Sequence, residues 1–194
     1  MMGKKSRCEW AGELPIYIDY HDKEWGRPVR EDTKLFEFLI LETMQAGLSW
    51  ITVLKKREAY REAFDGFDPR KMAAYDEAKV EALMGNAGII RNRLKIESAI
   101  HNAKVYLEIL EKHGSFSKLL WDYVDDTPIV GHPETLADIP ATTPLSDRIS
   151  KDLKKRGFKF VGSTTIYAFM QAVGIVNDHM RHCFVYEELL VPSE

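Results

Sequence analysis

Four residues near the two ends of the 194-residue chain carry side chains that bind borderline metal ions. Cys8 and His21 are separated by twelve residues, and His179 and Cys183 by three, about one helical turn. Two thiolates and two imidazoles form a donor set suited to tetrahedral zinc. Four protein ligands leave no open coordination position, so such a site is structural, and it clips the chain ends together. The spacing matches no common zinc finger. The same residues also read as two free thiols and two surface histidines. His182 is an alternative ligand, although its place beside Cys183 gives poorer geometry. Two cysteines at opposite ends do not make a disulfide framework, and they imply a cytoplasmic protein.

A second feature is a carboxylate on an apolar face. Leu35, Leu39 and Glu42 are spaced i, i+4, i+7, which puts them on one helix face, Leu35 and Glu42 within about 20° of each other. Ionised carboxylates are seldom buried without a partner. Glu42 either sits at the edge of the stripe and reaches solvent or an arginine, or lines a pocket with raised proton affinity. Tyr17, Tyr20 and Trp25 lie upstream and Trp50 downstream. Trp25 reads as core. A carboxylate among stacked aromatics suits a planar, nitrogen-rich, electron-poor ligand: rings stack on it, and the carboxylate accepts from an exocyclic amine.

The elements that must position these residues read as helices almost end to end, and the fold class expected is all-α. Asp32 or Thr33 can cap a helix through Met44, ended by Gly47, and Ser49 can cap the next, beginning at Trp50. Asp68-Pro69 and Asp76 open two more, the second ending at Gly85. A long helix is read from Gly88 to Gly114, and shorter ones come after it from Ser115 or Ser117, from Thr143-Pro144 to Gly157, and from Ser163 to Gly174. No convincing strand pair is found, the best segment being Phe158–Val161. Residues 125–143 hold Pro128, Pro133 and Pro140 and read as a long surface connection inside one domain spanning residues 1–194. Gly85-Asn86-Ala87-Gly88 would join two helices tightly, the second starting at once with Ile89-Ile90-Arg91. Such a turn offers free N–H groups to a phosphate, as a helix-hairpin-helix element does, or is an ordinary helix–helix turn.

The formal net charge is −3, with 27 basic against 30 acidic residues, which by itself speaks against nucleic acid. The distribution speaks otherwise. Lys55-Lys56-Arg57, the group Arg91, Arg93 and Lys95, and the stretch from Lys151 to Lys159 with Lys154, Lys155 and Arg156 together carry +10, leaving −13 elsewhere. These windows are solvated helix faces or a shared phosphate-facing surface. No apolar run is long enough for a transmembrane helix, and the basic N-terminal residues are not followed by the apolar region of a signal peptide.

Longer motifs are then readable: Arg7-Cys8-Glu9-Trp10, Pro15-Ile16-Tyr17-Ile18-Asp19-Tyr20-His21-Asp22 and Glu24-Trp25-Gly26. They continue with Gln45-Ala46-Gly47-Leu48-Ser49-Trp50, Leu153-Lys154-Lys155-Arg156-Gly157 and Val176-Asn177-Asp178-His179. With these, from about Cys8 to Cys183, the sequence closely resembles the bacterial 3-methyladenine DNA glycosylase I family of the helix-hairpin-helix superfamily. The resemblance implies a zinc site at Cys8, His21, His179 and Cys183. It implies a base pocket at Glu42, Trp50, Tyr17 and Tyr20, and a hairpin at Gly85 to Ile90. As in that family, the aspartate that comes after a Gly-Pro motif in most of the superfamily is absent.

The resemblance further implies an N-glycosylase that flips 3-methyladenine from alkylated double-stranded DNA and hydrolyses its N-glycosidic bond, with Glu42 as the catalytic group. No lysine is marked as a Schiff-base nucleophile and nothing indicates an oligomer, so a monofunctional monomer is expected. Leu48, in the turn between two helices, is the candidate plug for the gap left in the duplex. Gly85, Gly88, Arg91, Lys155 and Arg156 are candidate DNA contacts. Two rivals remain: a glycosylase of another or broader range of alkylated bases, and a non-catalytic, zinc-stapled DNA-binding module.

Overall fold

The computed structural model describes residues 5–190. Helices dominate: α1 (Pro15–Lys23), α2 (Asp32–Gln45), α3 (Trp50–Leu54), α4 (Arg57–Ala63), α5 (Pro69–Ala73) and α6 (Glu77–Gly85) come first. They are followed by α7 (Arg93–His113), α8 (Phe116–Trp121), α9 (Pro144–Arg156), α10 (Ser163–Ala172) and α11 (Phe184–Leu190). The centre is α2, whose residues Leu35 through Met44 are all buried. The helix that carries Glu42 is therefore the most enclosed part of the fold, with α10 packed on one side and α7 on another.

Several helix starts fall where short polar side chains can take the free N–H groups. Asp68 accepts from Arg70 and Lys71 with proline at the first helical position, Asp76 accepts from Lys79, and Ser115 accepts from Lys118. Two expectations are corrected. Neither Asp32 nor Thr33 caps α2: Glu31 holds the N-cap position with no side-chain capping bond, and the Asp32 carboxylate is used by another helix. It accepts from Ser115 Oγ (3.0 Å) and from the Phe116 and Ser117 N–H groups, closing the start of α8. No helix begins at Ile89: residues 86–92 are non-helical and α7 starts at Arg93, capped by Asn92.

The connection from 125 to 143 is also more than a surface loop. Its Ile129–Val130 (β1) pairs in parallel with Val176–Asn177 (β2), a two-residue ladder that sequence alternation is too short to reveal. Leu136–Asp138 forms one tight turn closed reciprocally by Thr135 and Asp138. Phe158–Val161 forms no strand, and Phe160 takes a left-handed φ of 58° in the turn between α9 and α10.

Candidate active site and metal cluster

A cavity of about 280 Å³ opens beside the last turns of α2. That is just under the roughly 300–1,000 Å³ typical of drug-sized ligands and suits a single flat heterocycle. Each element contributes by its own periodicity. Tyr17 and Tyr20, three apart on α1, share a face, Glu42 and Gln45 do the same on α2, and Trp50 opens α3. Ala168 and Gln171 face the cavity from α10. The Tyr20 and Trp50 rings lie 5.4 Å apart at 41°. Arg57 holds Glu24 by two bonds of 2.7 Å and sits 6.0 Å from the Tyr20 ring centre, fixing α1 against α4.

Glu42 is 4% exposed, and its Oε2 has no hydrogen-bond partner. Burial alone pushes its carboxyl up to about 8. Glu37, also buried on α2, shows the ordinary solution: Arg61 donates to it twice, at 2.9 and 2.7 Å, and Lys34 once. Buried polar groups without partners are rare in folded proteins. Among the described residues four such side-chain atoms occur, and two of them, Glu42 Oε2 and Trp50 Nε1, belong to this cavity. An acceptor or acid and an indole donor thus face an apolar slot with nothing protein-borne to bind. Burial first, and Glu42 second, raise the hydroxyl pKa values of Tyr17 and Tyr20, so both phenols stay neutral donors.

Sequence reasoning missed much of this wall. Trp25, read as core, and Trp10, not assigned a role, both line the cavity, 4.9 Å apart and edge-on. Leu136 and Ile139 come from the proline-rich connection. Nothing in local periodicity could reveal them, since they arrive by chain crossover. The tryptophans bridge to the second cluster: Trp10 stacks edge-on against His21 (5.2 Å) and Trp25 against His179 (4.6 Å).

That cluster brings Cys8, His21, His179 and Cys183 together, all buried, with their donor atoms within 4.8 Å of one another. Cys8 Sγ is 3.5 Å from His179 Nδ1, and Cys183 Sγ is 3.5 Å from His21 Nε2 and 3.6 Å from His179 Nδ1. Metal–sulfur and metal–nitrogen bonds of about 2.3 and 2.0–2.1 Å at the tetrahedral angle give sulfur–nitrogen edges of about 3.5–3.6 Å. The outward ring nitrogens are also engaged. His21 Nδ1 faces Asp22 Oδ1 at 2.8 Å, and Arg7 grips the same carboxylate; His179 Nε2 meets the Trp25 carbonyl at 3.0 Å. Such outer partners fix the ring orientation of metal-binding histidines. Gly26 is required here: its φ is +77°, and a Cβ would lie 2.7 Å from His179 Nε2. His182 is exposed and stands outside the cluster, its ring facing the Arg7 carbonyl.

The basic windows have separate fates. Lys56 donates to the Ala87 and Gly88 carbonyls, Arg57 is committed to Glu24, and Arg93 to Glu77 and Glu81. Lys95 is buried. Arg156 binds Asp152, while Lys151, Lys154 and Lys155 are exposed and, among the described residues, form no ion pair. The Gly85–Ile90 segment is a turn with exposed Gly85 and half-buried Gly88, followed by exposed Arg91, and Tyr60 Oη takes the Ile90 N–H. Two packed helices flank this turn, α6 and α7, and a second such pair is formed by α9, the turn at residues 157–162, and α10. The start of α10 has no side-chain cap, and Thr164 and Thr165 there line a second cavity of about 220 Å³ shared with Glu42, Gly47 and Leu48. Leu48 is 41% exposed at its rim.

Comparison with known proteins points to one family. The family model for methyladenine glycosylase matches residues 10–186. DNA-3-methyladenine glycosylase of Haemophilus influenzae is 53% identical over 178 residues, 92% of this chain and 96% of the relative. DNA-3-methyladenine glycosylase 1 of Escherichia coli is 53% identical over 180 residues, 93% and 96% of the two chains. The solved structure of 3-methyladenine DNA glycosylase I from Staphylococcus aureus superposes with a TM-score of 0.91 at 38% identity, covering 99% of this chain and all of that one. With a partnerless buried carboxyl in an aromatic slot and a Cys/His cluster behind it, the chain belongs to the methyladenine glycosylase family.

Proposed function

We propose that this protein flips 3-methyladenine out of alkylated double-stranded DNA and hydrolyses its N-glycosidic bond, as a monofunctional base-excision enzyme. The observation that carries the reading is Glu42 Oε2, buried and unpartnered beside Tyr17, Tyr20 and Trp50. Methylation at N3 makes the base cationic and its glycosidic bond weak, so no strong general acid is required. Flipping costs a few kcal/mol, less for a lesion that stacks or pairs poorly, and stacking on an aromatic returns about 1–3 kcal/mol. Glu42 accepts from the exocyclic amine. When ionised, it also meets the positive charge on the base in a water-poor slot where that attraction is strong.

Leu48 fills the gap left in the duplex. Backbone N–H groups of the uncapped α10 start, with Lys155 and Arg156 nearby in the same hairpin, hold phosphates without reading sequence. Arg91 beside the Gly85–Gly88 turn adds a second contact. The metal is a structural zinc held by Cys8, His21, His179 and Cys183; four protein ligands leave it no catalytic position. We read the chain as one domain, monomeric and cytoplasmic; free thiols in a histidine cluster suit a reducing compartment. Among the described residues no helix is long and apolar enough to cross a membrane.

The test is incubation with methylated duplex DNA and chromatography of the released bases. Free 3-methyladenine should appear, with 7-methylguanine released far more slowly. Equal release of both supports a broader enzyme, and no release leaves only a DNA-binding module. Borohydride should trap no covalent DNA adduct, and a trapped adduct contradicts the monofunctional assignment.

A further inference from the structure

The C-terminus of α2 is where the pocket and the Leu48 turn meet. The last carbonyls of a helix have no partner within it and are usually closed by backbone N–H groups folding back. Here the chain leaves the helix at Ala46 with φ −43° and ψ 115°, and only the Leu48 N–H returns, to the Gln45 carbonyl. The neighbouring carbonyls are closed by a side chain from another helix: Lys95 Nζ donates to Met44 O at 2.8 Å and to Ala46 O at 2.7 Å. Lys95 is 7% exposed, an ammonium set into the protein with carbonyls as its partners. Burial pulls its pKa below the usual lysine value, and the negative end of the α2 dipole offsets part of that cost.

The lysine is itself rigidly mounted. It lies in the first turn of α7, where Asn92 Oδ1 accepts its backbone N–H, and α7 packs along α2. Residues Gly47 to Ser49 are exposed, and Ser49 bonds only locally, to Thr52. Among the described residues, Lys95 is thus the side chain from outside the turn that ties it to the body of the protein.

We propose that Lys95 is a positioning residue for excision, holding the Ala46–Ser49 turn at the height and angle from which Leu48 enters the duplex. This rests on the reading of Leu48 as the residue that fills the vacated space. It separates two tasks at one helix end: Glu42 and the aromatics bind the base, and Lys95 sets the part that acts on the DNA. Lys95→Met keeps the aliphatic stem and removes the donors and the charge.

The experiment is a double-mutant cycle with Lys95→Met, Leu48→Ala and the double variant. It is read by single-turnover release of 3-methyladenine from duplex DNA and by binding of free 3-methyladenine. A misplaced turn should slow release by Lys95→Met about tenfold, with free-base affinity within about twofold of wild type because the pocket residues are untouched. The double variant should be no slower than Leu48→Ala alone, since both changes disable one device. Should Lys95→Met not fold, Lys95→Gln, a shorter and uncharged amide, carries the same cycle. Normal release by the Lys95 variant with a slow Leu48→Ala overturns the role of Lys95. So does a double variant slowed by the product of the two single effects, or base affinity that falls in step with release. Normal release by Leu48→Ala overturns instead the reading of the turn on which the role of Lys95 depends.

Discussion

At the scale of single residues, Glu42 combines burial, a missing partner and a carboxyl pushed up to about 8. The folded state therefore holds a proton that the unfolded chain, titrating near the ordinary glutamate value, gives up. Between those two values, stability falls as pH rises, and above about 8 the loss is complete. Glu42→Gln should accordingly raise the melting temperature most above pH 8, with the gain shrinking toward pH 5, worth on the order of a few kcal/mol at most. Thermal scans across that range check it; a variant less stable at high pH contradicts it. Binding has the opposite sign. A cationic base needs the carboxylate, so affinity for the lesion should rise with pH up to about 8 in the wild type and be flat in Glu42→Gln. Trp50→Ala removes a stacking face, and base affinity should drop by about 1–3 kcal/mol in a titration. Spacing alone singled out Glu42 beside Leu35 and Leu39, but left open whether it reached solvent; that α2 is buried all round from Leu35 to Met44 is a matter of tertiary packing. Trp10 and Trp25 were not legible as pocket residues, since short irregular segments carry them and only tertiary packing brings them to the slot. The sign of a charge also says nothing of where its side chain goes: Arg93 and Lys95 sit in one basic window, yet one binds carboxylates and the other backbone carbonyls.

At the scale of elements, the Cys/His cluster stands directly behind the pocket wall. The Trp25 carbonyl takes the outer nitrogen of His179, Gly26 donates to the Gln171 carbonyl, and both Trp25 and Gln171 line the cavity. Metal loss should therefore weaken base binding as well as tie the ends less firmly. Cys8→Ala, or exhaustive chelation, should lower metal content, melting temperature and affinity for 3-methyladenine together. The stability loss should stay below the roughly 10 kcal/mol seen in small fingers, because a large core remains. Unchanged base affinity in a metal-free protein would separate the two sites. The helix ends explain which boundaries the sequence disclosed. Asp68, Asp76 and Ser115 cap where they stand, whereas Asp32 was drawn to α8 and left the start of α2 without a side-chain cap. A capping residue in sequence names a helix start, not which one.

At the scale of the molecule, a net charge of −3 coexists with a DNA-binding function because the charge is partitioned. The structure narrows that partition further: Arg57 and Arg93 are spent on internal pairs, while Lys151, Lys154 and Lys155 of α9 are exposed and without an ion pair among the described residues, in the same hairpin as the uncapped start of α10. Few phosphate contacts mean weak binding to undamaged DNA and a shallow salt dependence, a slope of about −0.9 per neutralised phosphate. Lys155→Ala should lower affinity for any duplex alike and reduce that slope by about one, measured by fluorescence anisotropy against salt. The helical class and the Cys/His cluster were legible from the sequence, since both rest on patterns repeated or paired along the chain. The two-residue β ladder was not, because it is too short for alternation to mark, and the helices α9 and α10 were readable without any sign that they pack on each other.

The central claim is that a buried, partnerless carboxyl recognises the cationic base. Its most direct measurement is the single-turnover rate of 3-methyladenine release from duplex DNA by wild type and Glu42→Gln near neutral pH. The variant should keep its fold and its affinity for undamaged DNA and lose on the order of 10–100-fold in rate. Release at the wild-type rate by a folded Glu42→Gln variant would contradict it.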